Sequence, residues 1–339
     1  MKSIADELGV SRSTVSFVLG GEAGRRRINA QTAERIVQRA EQLGFRPNYF
    51  AQALNTHKTG AIGLVFPEVH EAYMSEMLHG IDEVFAQHDT SMMLSSSRMD
   101  RALELRNIES LLHRGVDGLI LVPCAEFKAR ASATPSLSAF LAAQKIPVVC
   151  ADRVPAGWQG NAVVQDDKNA ARQAVEALFA RGAKRVGCIS FDLDASSITG
   201  RIAGYRDALL ARRQNFDPRW LILLEHVDLS AHDLALALQT LLACPAKERP
   251  DAWFVTTTGL SYRTRELLRL AHADAPIARF GTDPTYFASG MISVAQPHRA
   301  IGRRAAELLF EKIAEPARAP EQIALPATLL SGPDAEAAK

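Results

Sequence analysis

Charged and hydroxyl side chains follow apolar, strand-like runs in the body of the chain. Asp152 and Arg153 come directly after "IPVVCA", and Asp283 follows "IARFG". Ser197 and Arg201 stand at the beginning of the helical segment around "GRIAGYRDAL". In open α/β sheets, ligands bind beyond the carboxyl ends of the strands, where guanidinium and carboxylate groups hydrogen-bond to them. These residues predict a small-molecule site. A salt bridge between two lobes is the alternative for Asp152 and Arg153.

Two short helices meet at a glycine turn near the amino terminus. "SIADEL" has one apolar face, Gly9 suits the left-handed conformation that ends a helix, and Ser11 suits the N-cap of the next helix. That second helix has an apolar stripe of Val15, Val18 and Leu19. An outward aromatic ring in its first two turns suits contact with a thymine methyl group or packing beside the groove. The outward side chains are Arg12, Ser13, Ser16 and Phe17.

This pair of helices predicts a helix-turn-helix unit, whose second helix offers its first side chains to base edges in the major groove. A third helix, "INAQTAERIVQRAEQLGF", begins at the cap Asn29 and ends at Gly44. Residues 1–60 carry nine Lys and Arg against five acids in a chain of net charge +1, which favours a nucleic-acid-binding head. A helical bundle without DNA affinity is the alternative. The predicted apolar face of the third helix is Ala33, Ile36, Val37, Ala40 and Leu43.

A further short helix is expected after the head. Pro47 disfavours helix at the residue before it, and Asn48 suits the cap of a helix that continues through Leu54. Because so short a helix is marginal alone in water, we expect it to fold where a DNA groove and a partner copy hold it. An ordinary interdomain linker is the alternative.

The body of the chain alternates strands with helices. A chain of 339 residues is too long for one small core, and regular β-α alternation predicts parallel sheets with helices on both faces. Nine strands exceed what one such sheet needs, so we expect two lobes. The helical segments include 75–87, 101–113, 168–181 and 200–212. The strands are "AIGLVF", "SMMLSS", "DGLILV", "IPVVCA", "AVVQ", "RVGCIS", "AWFVTT", "IARFG" and "ISVAQ".

Several segments, in this order, resemble the lac repressor/galactose repressor family of bacterial transcription regulators. They are "GVSRSTVSFVL", "RINAQTAERI", "LGFRPNYFAQAL", "IGLVFPEV", "RGVDGLILVP", "IPVVCADR", "GRIAGYRDAL", "FGTD" and "QPHRAIGRRAAELL". The resemblance implies a small all-α head and a two-lobed, periplasmic-binding-protein-like α/β core, in which the chain crosses between lobes three times. The expected divisions are the head at 1–46, a hinge helix at 47–58, the core at 61–330 (lobe 1 at 61–153 and 283–315, lobe 2 at 154–282 and 317–330), crossings near 153, 282 and 316, and a tail at 331–339.

The resemblance implies a homodimer on a near-palindromic double-stranded DNA operator. In the family a hinge leucine wedges between base pairs of the minor groove, where the bent complex recovers the unstacking energy in contacts. Leu54 holds that position, and Ala51 allows the two hinge helices close approach. Two departures matter: Phe17 stands where many members have arginine, and the loop "GGEAGRRRIN" is longer and more basic than usual. The implied contacts are Ser11, Arg12, Ser13, Thr14, Ser16 and Phe17 in the major groove, Arg25, Arg26, Arg27 and Asn29 on the backbone, and Asn48, Ala51 and Leu54 in the minor groove.

The resemblance also implies a small-molecule effector between the lobes, held in the family by the arginine and aspartate at the Arg201 and Asp283 positions. The sugar-binding pattern is altered: "EAYM" replaces an "NPFF"-like segment, Thr257-Thr258 replaces Asn-Asp, and Leu229 replaces an aromatic residue. These changes disfavour a common pyranose and leave the effector class open. A decayed cleft, with a protein partner or none, is the alternative. The implied effector contacts are Glu71, Tyr73, Asp152, Arg153, Ser197, Arg201, Thr257 and Asp283.

Catalysis has little support in the sequence. It contains no Gly-rich phosphate loop, zinc-spaced His/Cys cluster or nucleophile elbow. We therefore expect no catalytic residue, metal or cofactor, and an α/β enzyme with an incidental helical head is the alternative.

The sequence has no pattern typical of a secreted or membrane protein, so we expect a cytoplasmic protein. No charged n-region precedes an apolar h-region, apolar runs are too short for a membrane span, and four cysteines without metal-type spacing suit a reduced compartment. The segment after residue 330 is too short for the heptad helix that makes some relatives tetrameric, so we expect a dimer. Relatives have several more residues before the first helix, which leaves the natural start open.

Overall fold

The computed structural model of the protein describes residues 2–20, 23–24, 26–44, 59–68, 72–128, 136–225, 232–282 and 291–330. The chain divides into two compact units, residues 1–61 and 62–339. None of the described helices combines the length and the hydrophobicity needed to cross a membrane. The predicted hinge helix and tail lie outside the described residues, as do these predicted site residues: Arg25, Asn48, Ala51, Leu54, Glu71 and Asp283.

The amino-terminal unit contains three helices, α1 (Lys2–Leu8), α2 (Arg12–Leu19) and α3 (Ala30–Gln42). Gly9 takes the predicted left-handed conformation after α1, with φ +67°. Ser11 is confirmed as the N-cap of α2, since its side chain accepts a hydrogen bond from the Thr14 amide at 3.0 Å. The buried core of this unit is Ile4, Ala5, Val15, Val18, Ile36 and Ala40.

The predicted apolar face of α3 is buried only in part. Ile36 and Ala40 are buried, but Val37 and Leu43 are 40% and 44% exposed, so their assignment to the core is wrong. Ile36 and Ala40 lie one turn apart on a single stripe, and Val37 is rotated by about 100° from that stripe. Leu43 continues the stripe but follows the last residue of α3, Gln42, and is not buried there.

The first lobe of the core is built on a six-stranded sheet in the order β13-β6-β5-β3-β1-β2. The pairs from β13 to β1 are parallel. Apolar residues are buried on both faces of this sheet. The strands are β1 (Ala61–Phe66), β2 (Ser91–Ser96), β3 (Gly118–Leu121), β5 (Val148–Asp152), β6 (Asn161–Gln165) and β13 (Gln322–Leu325), and the helices are α4 (Ala72–Phe85), α5 (Arg101–His113), α6 (Leu137–Ala142) and α11 (His298–Ala314).

The second lobe repeats this architecture, with a sheet in the order β14-β12-β11-β10-β7-β9. Its pairs are parallel except that β14 runs antiparallel to β12. The predicted α/β class is therefore confirmed. The strands are β7 (Val186–Phe191), β9 (Leu221–Leu224), β10 (Ala252–Val255), β11 (Ile277–Phe280), β12 (Ile292–Ala295) and β14 (Thr328–Leu330), and the helices are α7 (Asp167–Ala180), α8 (Ser196–Ala211), α9 (His232–Leu242) and α10 (Thr258–Leu270). Short 3₁₀ helices lie at Ala86–His88, Pro218–Trp220 and Ala246–Glu248.

Each crossing between the lobes comes one strand later than predicted. The expected positions near 153, 282 and 316 are wrong, because β6, β12 and β13 each pair in the sheet that the chain was expected to have left. The chain crosses instead between β6 and α7, between β12 and α11, and between β13 and β14. Polar residues at the ends of β5 and β11 show in the sequence where each strand ends. They do not show whether the chain then crosses to the other lobe or returns to the same sheet.

A two-stranded antiparallel sheet connects the lobes at a further place. It pairs β4 (Glu126–Phe127), in the loop after β3, with β8 (Leu193–Asp194), in the loop after β7. The Lys128 amide donates to the Asp192 carbonyl at 3.0 Å, and the Lys128 ammonium lies 2.7 Å from the Asp192 carboxylate. This link, which the sequence did not predict, joins loops at the carboxyl ends of strands from both sheets.

Glycines bring pairs of helices into close contact in both lobes. A Cβ on Gly80 of α4 would lie 2.0 Å from the carbonyl oxygen of Arg299 in α11, and a Cβ on Gly302 of α11 would lie 2.1 Å from that of Met77. In the second lobe, a Cβ on Gly204 of α8 would lie 2.1 Å from the Lys168 carbonyl oxygen of α7. Only glycine permits these approaches, which set the positions of the helix ends that carry the site residues.

Candidate functional site

The first candidate surface is the amino-terminal end of α2. Ser11, Arg12 and Ser13 are exposed there. The hydroxyl of Ser11 lies 2.7 Å from that of Ser13 and 2.8 Å from that of Thr14. Three of the six predicted major-groove residues therefore share one exposed helix end, whose polar groups suit hydrogen bonds to DNA. The other three, Thr14, Ser16 and Phe17, are half-buried.

Two predicted DNA-contact residues make defined contacts within the head. The Arg26 guanidinium carbon lies 4.4 Å from the centroid of the Phe17 ring, which is half-buried. The Asn29 side chain caps α3, since it accepts a hydrogen bond from the Gln31 amide at 2.8 Å. Arg27 is exposed and has φ +52°. The roles of these residues on DNA stay predictions.

The second candidate site lies where strand ends and helix beginnings meet in the core. Asp152 and Gln165 are the last residues of β5 and β6, and Phe280 is the last residue of β11. Asp167 and His298 are the first residues of α7 and α11. This is the edge of an α/β sheet where ligands bind.

In the first lobe, a turn at Asp152 organises one cluster. The Arg153 amide donates to the Ala151 carbonyl at 2.7 Å across Asp152, whose φ is +65°. A γ-turn of this hand is strained, and such strain concentrates at ligand sites. Arg153 donates to Asp152 Oδ2 at 3.1 Å and to the Tyr73 hydroxyl at 3.3 Å. The turn thus presents a guanidinium, a carboxylate and a phenol together.

His298 packs against this cluster. Its ring centroid lies 5.1 Å from that of Tyr73, and its Nε2 lies 3.9 Å from Asp152 Oδ1. Burial lowers the pKa of His298 from its ordinary value of 6.5, although the Asp152 carboxylate opposes this. The imidazole is therefore neutral at pH 7 and offers one donor and one acceptor.

In the second lobe, Arg201 organises the other cluster. Its Nε donates to Asp167 Oδ1 at 2.8 Å, and its Nη1 donates to the Thr256 carbonyl at 2.8 Å. Its guanidinium carbon lies 4.0 Å from the centroid of the Phe280 ring. Burial raises the pKa of Asp167 to about 6 even though Arg201 opposes the rise. Asp167, the Thr256 carbonyl and the Phe280 ring thus hold the Arg201 guanidinium in one position.

Two buried polar atoms beside these clusters have no hydrogen-bond partner among the described residues. They are Gln165 Oε1 and Thr257 Oγ1. Gln165 is 4% exposed, and its Nε2 donates to Asp167 Oδ1 at 3.0 Å. An unpaired buried polar atom is costly, so these atoms indicate a site that a hydrogen-bonding molecule completes. Thr257 is a predicted effector contact.

The structure brings together some of the predicted effector residues. Tyr73, Asp152 and Arg153 form one cluster, and the Asp152–Arg153 salt bridge lies within the first lobe, which contradicts the alternative of a bridge between lobes. Ser197 is buried in the first turn of α8, where its neighbour Ser196 accepts a hydrogen bond from the Val154 amide at 2.9 Å.

Several residues of the site were missed by sequence reasoning. Asp167 is the second of two aspartates that follow a strand in "VVQDD", a signal like the one that identified Asp152, and His298 lies in the quoted segment "QPHRAIGRRAAELL". Nothing in the local pattern distinguishes the remaining missed residues, Gln165, Thr256 and Phe280, from ordinary strand ends. Their place in the site follows from sheet pairing.

This arrangement is suited to binding. Its two guanidinium groups and two carboxylates hold one another in fixed positions, and the neutral imidazole, phenol and amide supply further donors and acceptors. Fixed polar groups at the edge of a sheet recognise hydroxyl, amine or carboxylate groups of a small molecule.

Family models cover both units of the chain. A model of bacterial regulatory proteins of the lacI family matches residues 1–48, and a model of periplasmic binding proteins and the sugar-binding domain of the LacI family matches residues 59–332. The chain belongs to the LacI family. It is thus a LacI-family transcriptional regulator with a DNA-binding head and an effector-binding core.

Individual relatives agree with this assignment. The HTH-type transcriptional regulator PtxS of Pseudomonas plecoglossicida is 30% identical over 92% of this chain and 88% of its own. The ribose operon repressor of Haemophilus influenzae is 23% identical over 93% of this chain and 92% of its own. The lac repressor dimer bound to operator and the anti-inducer ONPF has the same fold, with a TM-score of 0.78 at 19% identity over 98% of this chain and 97% of that one.

Proposed function

We propose that this LacI-family protein is a repressor that acts in the cytoplasm as a homodimer on a near-palindromic operator. A small polar effector in the cleft between the lobes controls its DNA binding. The observation that carries the proposal is the group of polar residues at the strand ends, with the strained Asp152 turn and the buried unpaired atoms Gln165 Oε1 and Thr257 Oγ1. Because linkage is reciprocal, an effector that lowers the affinity for the operator by some factor has its own affinity lowered by the operator by the same factor.

The hinge provides a test of operator binding. Leu54→Ala should weaken binding to a duplex selected by the protein from a random library, because the minor-groove wedge is lost. Binding to a scrambled duplex, which depends on phosphate contacts and salt, should stay within a few-fold of wild type. Fluorescence anisotropy measures both affinities. An equal loss on the two duplexes would show that Leu54 is not the wedge.

Support for the dimer comes from the edges of the two sheets. Met92 and Leu94 of the edge strand β2 are 36% and 42% exposed, and Leu223 of the edge strand β9 is 38% exposed. Leu236 of α9 is 58% exposed. Apolar side chains on uncovered edge strands promote association. We assign the contact between the two copies to these surfaces.

Charge at this surface should separate the copies. The Leu94→Asp/Leu236→Asp double variant should sediment as a monomer at concentrations where wild type is a dimer, because each interface would bury unpaired carboxylates. Leu210→Asp is the matched control, since Leu210 is 75% exposed on α8 and is not one of the residues assigned to the interface. Analytical ultracentrifugation gives the mass. A double variant that remains dimeric would place the interface elsewhere.

The effector can be found by its effect on thermal stability. A panel of sugars, sugar phosphates, nucleobases, amino acids and polyamines is screened against the full chain. A true effector at a hundred times its Kd adds about 2.7 kcal/mol, which raises the melting temperature by about 4–5 °C. Tyr73→Phe and Thr257→Val should reduce this rise, and Thr240→Val, an exposed threonine of α9, should not. Silence across the panel would favour a protein partner.

A further inference from the structure

The contact between Phe17 and Arg26 gives the ring of Phe17 a function other than core packing. The described core of the head consists of Ile4, Ala5, Val15, Val18, Ile36 and Ala40, and Phe17 lies outside it. The ring is half-buried, and the Arg26 guanidinium carbon lies 4.4 Å from its centroid. Phe17 thus serves as a platform for a cation.

The turn that carries Arg26 is attached to the head on both sides. Ala23 and Ile28 pack against the apolar core, and the Ile28 amide donates to the Ala23 carbonyl at 2.9 Å. The Arg27 amide donates to the Gly24 carbonyl at 3.1 Å. Arg26 is exposed on this turn. Its side chain therefore extends from a fixed backbone to α2.

The platform lies on the face of α2 that carries the polar helix end. Phe17 is four residues after Ser13, and residues four apart are neighbours on one helix face. Ser13 belongs to the exposed hydroxyl cluster with Ser11 and Thr14. The guanidinium of Arg26 is therefore beside the side chains predicted to enter the major groove.

Stacking suits an arginine that must make hydrogen bonds at a defined place. A guanidinium over an aromatic ring uses its face for the stack and donates hydrogen bonds from its edge. An exposed cation–π contact favours the stacked position by a factor of about two to five. Arginine donates two parallel hydrogen bonds to O6 and N7 of guanine, the commonest specific contact in the major groove.

We propose that Arg26 is a base-specific contact, and that Phe17 positions it without touching DNA. The guanidinium, stacked on Phe17, donates to a guanine in each half-site of the operator. This differs from the sequence-based expectation, in which Phe17 meets a base and Arg26 a phosphate. It rests on the proposed binding of this chain to an operator.

The test compares a selected duplex with a scrambled duplex. The full-length wild-type protein selects its consensus from a random library, and anisotropy gives the Kd values of the variants. Arg26→Ala should weaken consensus binding about 5- to 150-fold, the discrimination typical of one bidentate pair, and weaken scrambled binding only a few-fold. Arg27→Ala, the neighbouring exposed arginine, should weaken both duplexes equally. Selection with Arg26→Ala should yield a motif that has lost one guanine per half-site.

The role of Phe17 is tested by non-additivity. Phe17→Ala should weaken consensus binding about two- to fivefold in wild type and not at all when Arg26 is already alanine. Phe17→Leu retains apolar bulk, removes the aromatic face and should behave in the same way; helical circular dichroism confirms that each variant is folded.

Three results would each contradict a different part of this inference. If Arg26→Ala weakens both duplexes equally, Arg26 contacts phosphate and the proposal is wrong. If the loss from Phe17→Ala persists in the Arg26→Ala background, Phe17 itself contacts DNA. If wild type selects no consensus at all, the proposed operator binding fails first, and the inference fails with it.

Discussion

Asp167 has a buried carboxylate at the candidate effector site, where Arg201 and Gln165 both donate to its Oδ1. Its side chain is 8% exposed. Burial raises its pKa from 3.8 to about 6. Asp167→Asn keeps the shape and an acceptor oxygen for Arg201 but cannot take up a proton. The substitution therefore isolates the effect of this one titration on stability.

The size and sign of that effect follow from linkage. Between pH 3.8 and 6 the folded protein retains a proton that the unfolded chain has lost, so the free energy of unfolding falls as the pH rises. The stabilisation is fully present below the unfolded pKa and is lost as the pH passes the folded pKa. A pKa rise from 3.8 to about 6 corresponds to about 3 kcal/mol. Asp167→Asn does not undergo this loss, so its free energy of unfolding relative to wild type should increase by most of that amount from pH 4 to 7.

Denaturant unfolding at a series of pH values measures the difference. All three tryptophans, Trp158, Trp220 and Trp253, lie in the core unit, so their fluorescence reports core unfolding. Asp207→Asn is the control: Asp207 is 43% exposed and ion-paired with Lys168, and its removal should change stability by less than about 1 kcal/mol. Parallel curves for wild type and Asp167→Asn from pH 4 to 7 would refute the reasoning.

Three further substitutions test the packing that supports the cleft, each by denaturant unfolding at pH 7. Glu104→Ala should cost about 3–5 kcal/mol, because the fully buried carboxylate is the nearer of the two that pair with Arg101 and also accepts from the Cys124 amide; a loss below about 1 kcal/mol would contradict this. Gly80→Ala should cost about 3 kcal/mol, because its Cβ would collide with the main chain of α11, whereas Gly259→Ala, where a Cβ meets nothing within 4 Å, should stabilise α10 by about 0.5–1 kcal/mol. Tyr205→Phe should cost about 1 kcal/mol, because a buried strand carbonyl loses the hydroxyl that donates to it at 2.9 Å; no change would mean that water replaces it.

Local features of the sequence were predictable because each depends on a few neighbouring residues. The turn at Gly9 and the cap at Ser11 follow from backbone preference and from a hydrogen bond within one helical turn. Each of the nine predicted strand runs is a strand in the structure. Asp152 and Arg153 were recognised as site residues because a polar pair directly follows an apolar strand. These signals determined the elements, the α/β class and part of the site.

Contacts between distant segments were decided by tertiary structure. Cys150 of β5 pairs with Ala162 of β6, so β6 belongs to the first lobe and the predicted crossing near 153 is wrong. Buried parallel strands of both sheets have the same apolar pattern, so no strand carries a local mark of its lobe. Arg201 is paired with Asp167 and stacked on Phe280 for the same reason: sheet pairing, which spans long stretches of chain, places these side chains together. The helices and strands are thus determined by local sequence, whereas the pairing of the strands and the contacts of the site residues are determined by the tertiary fold.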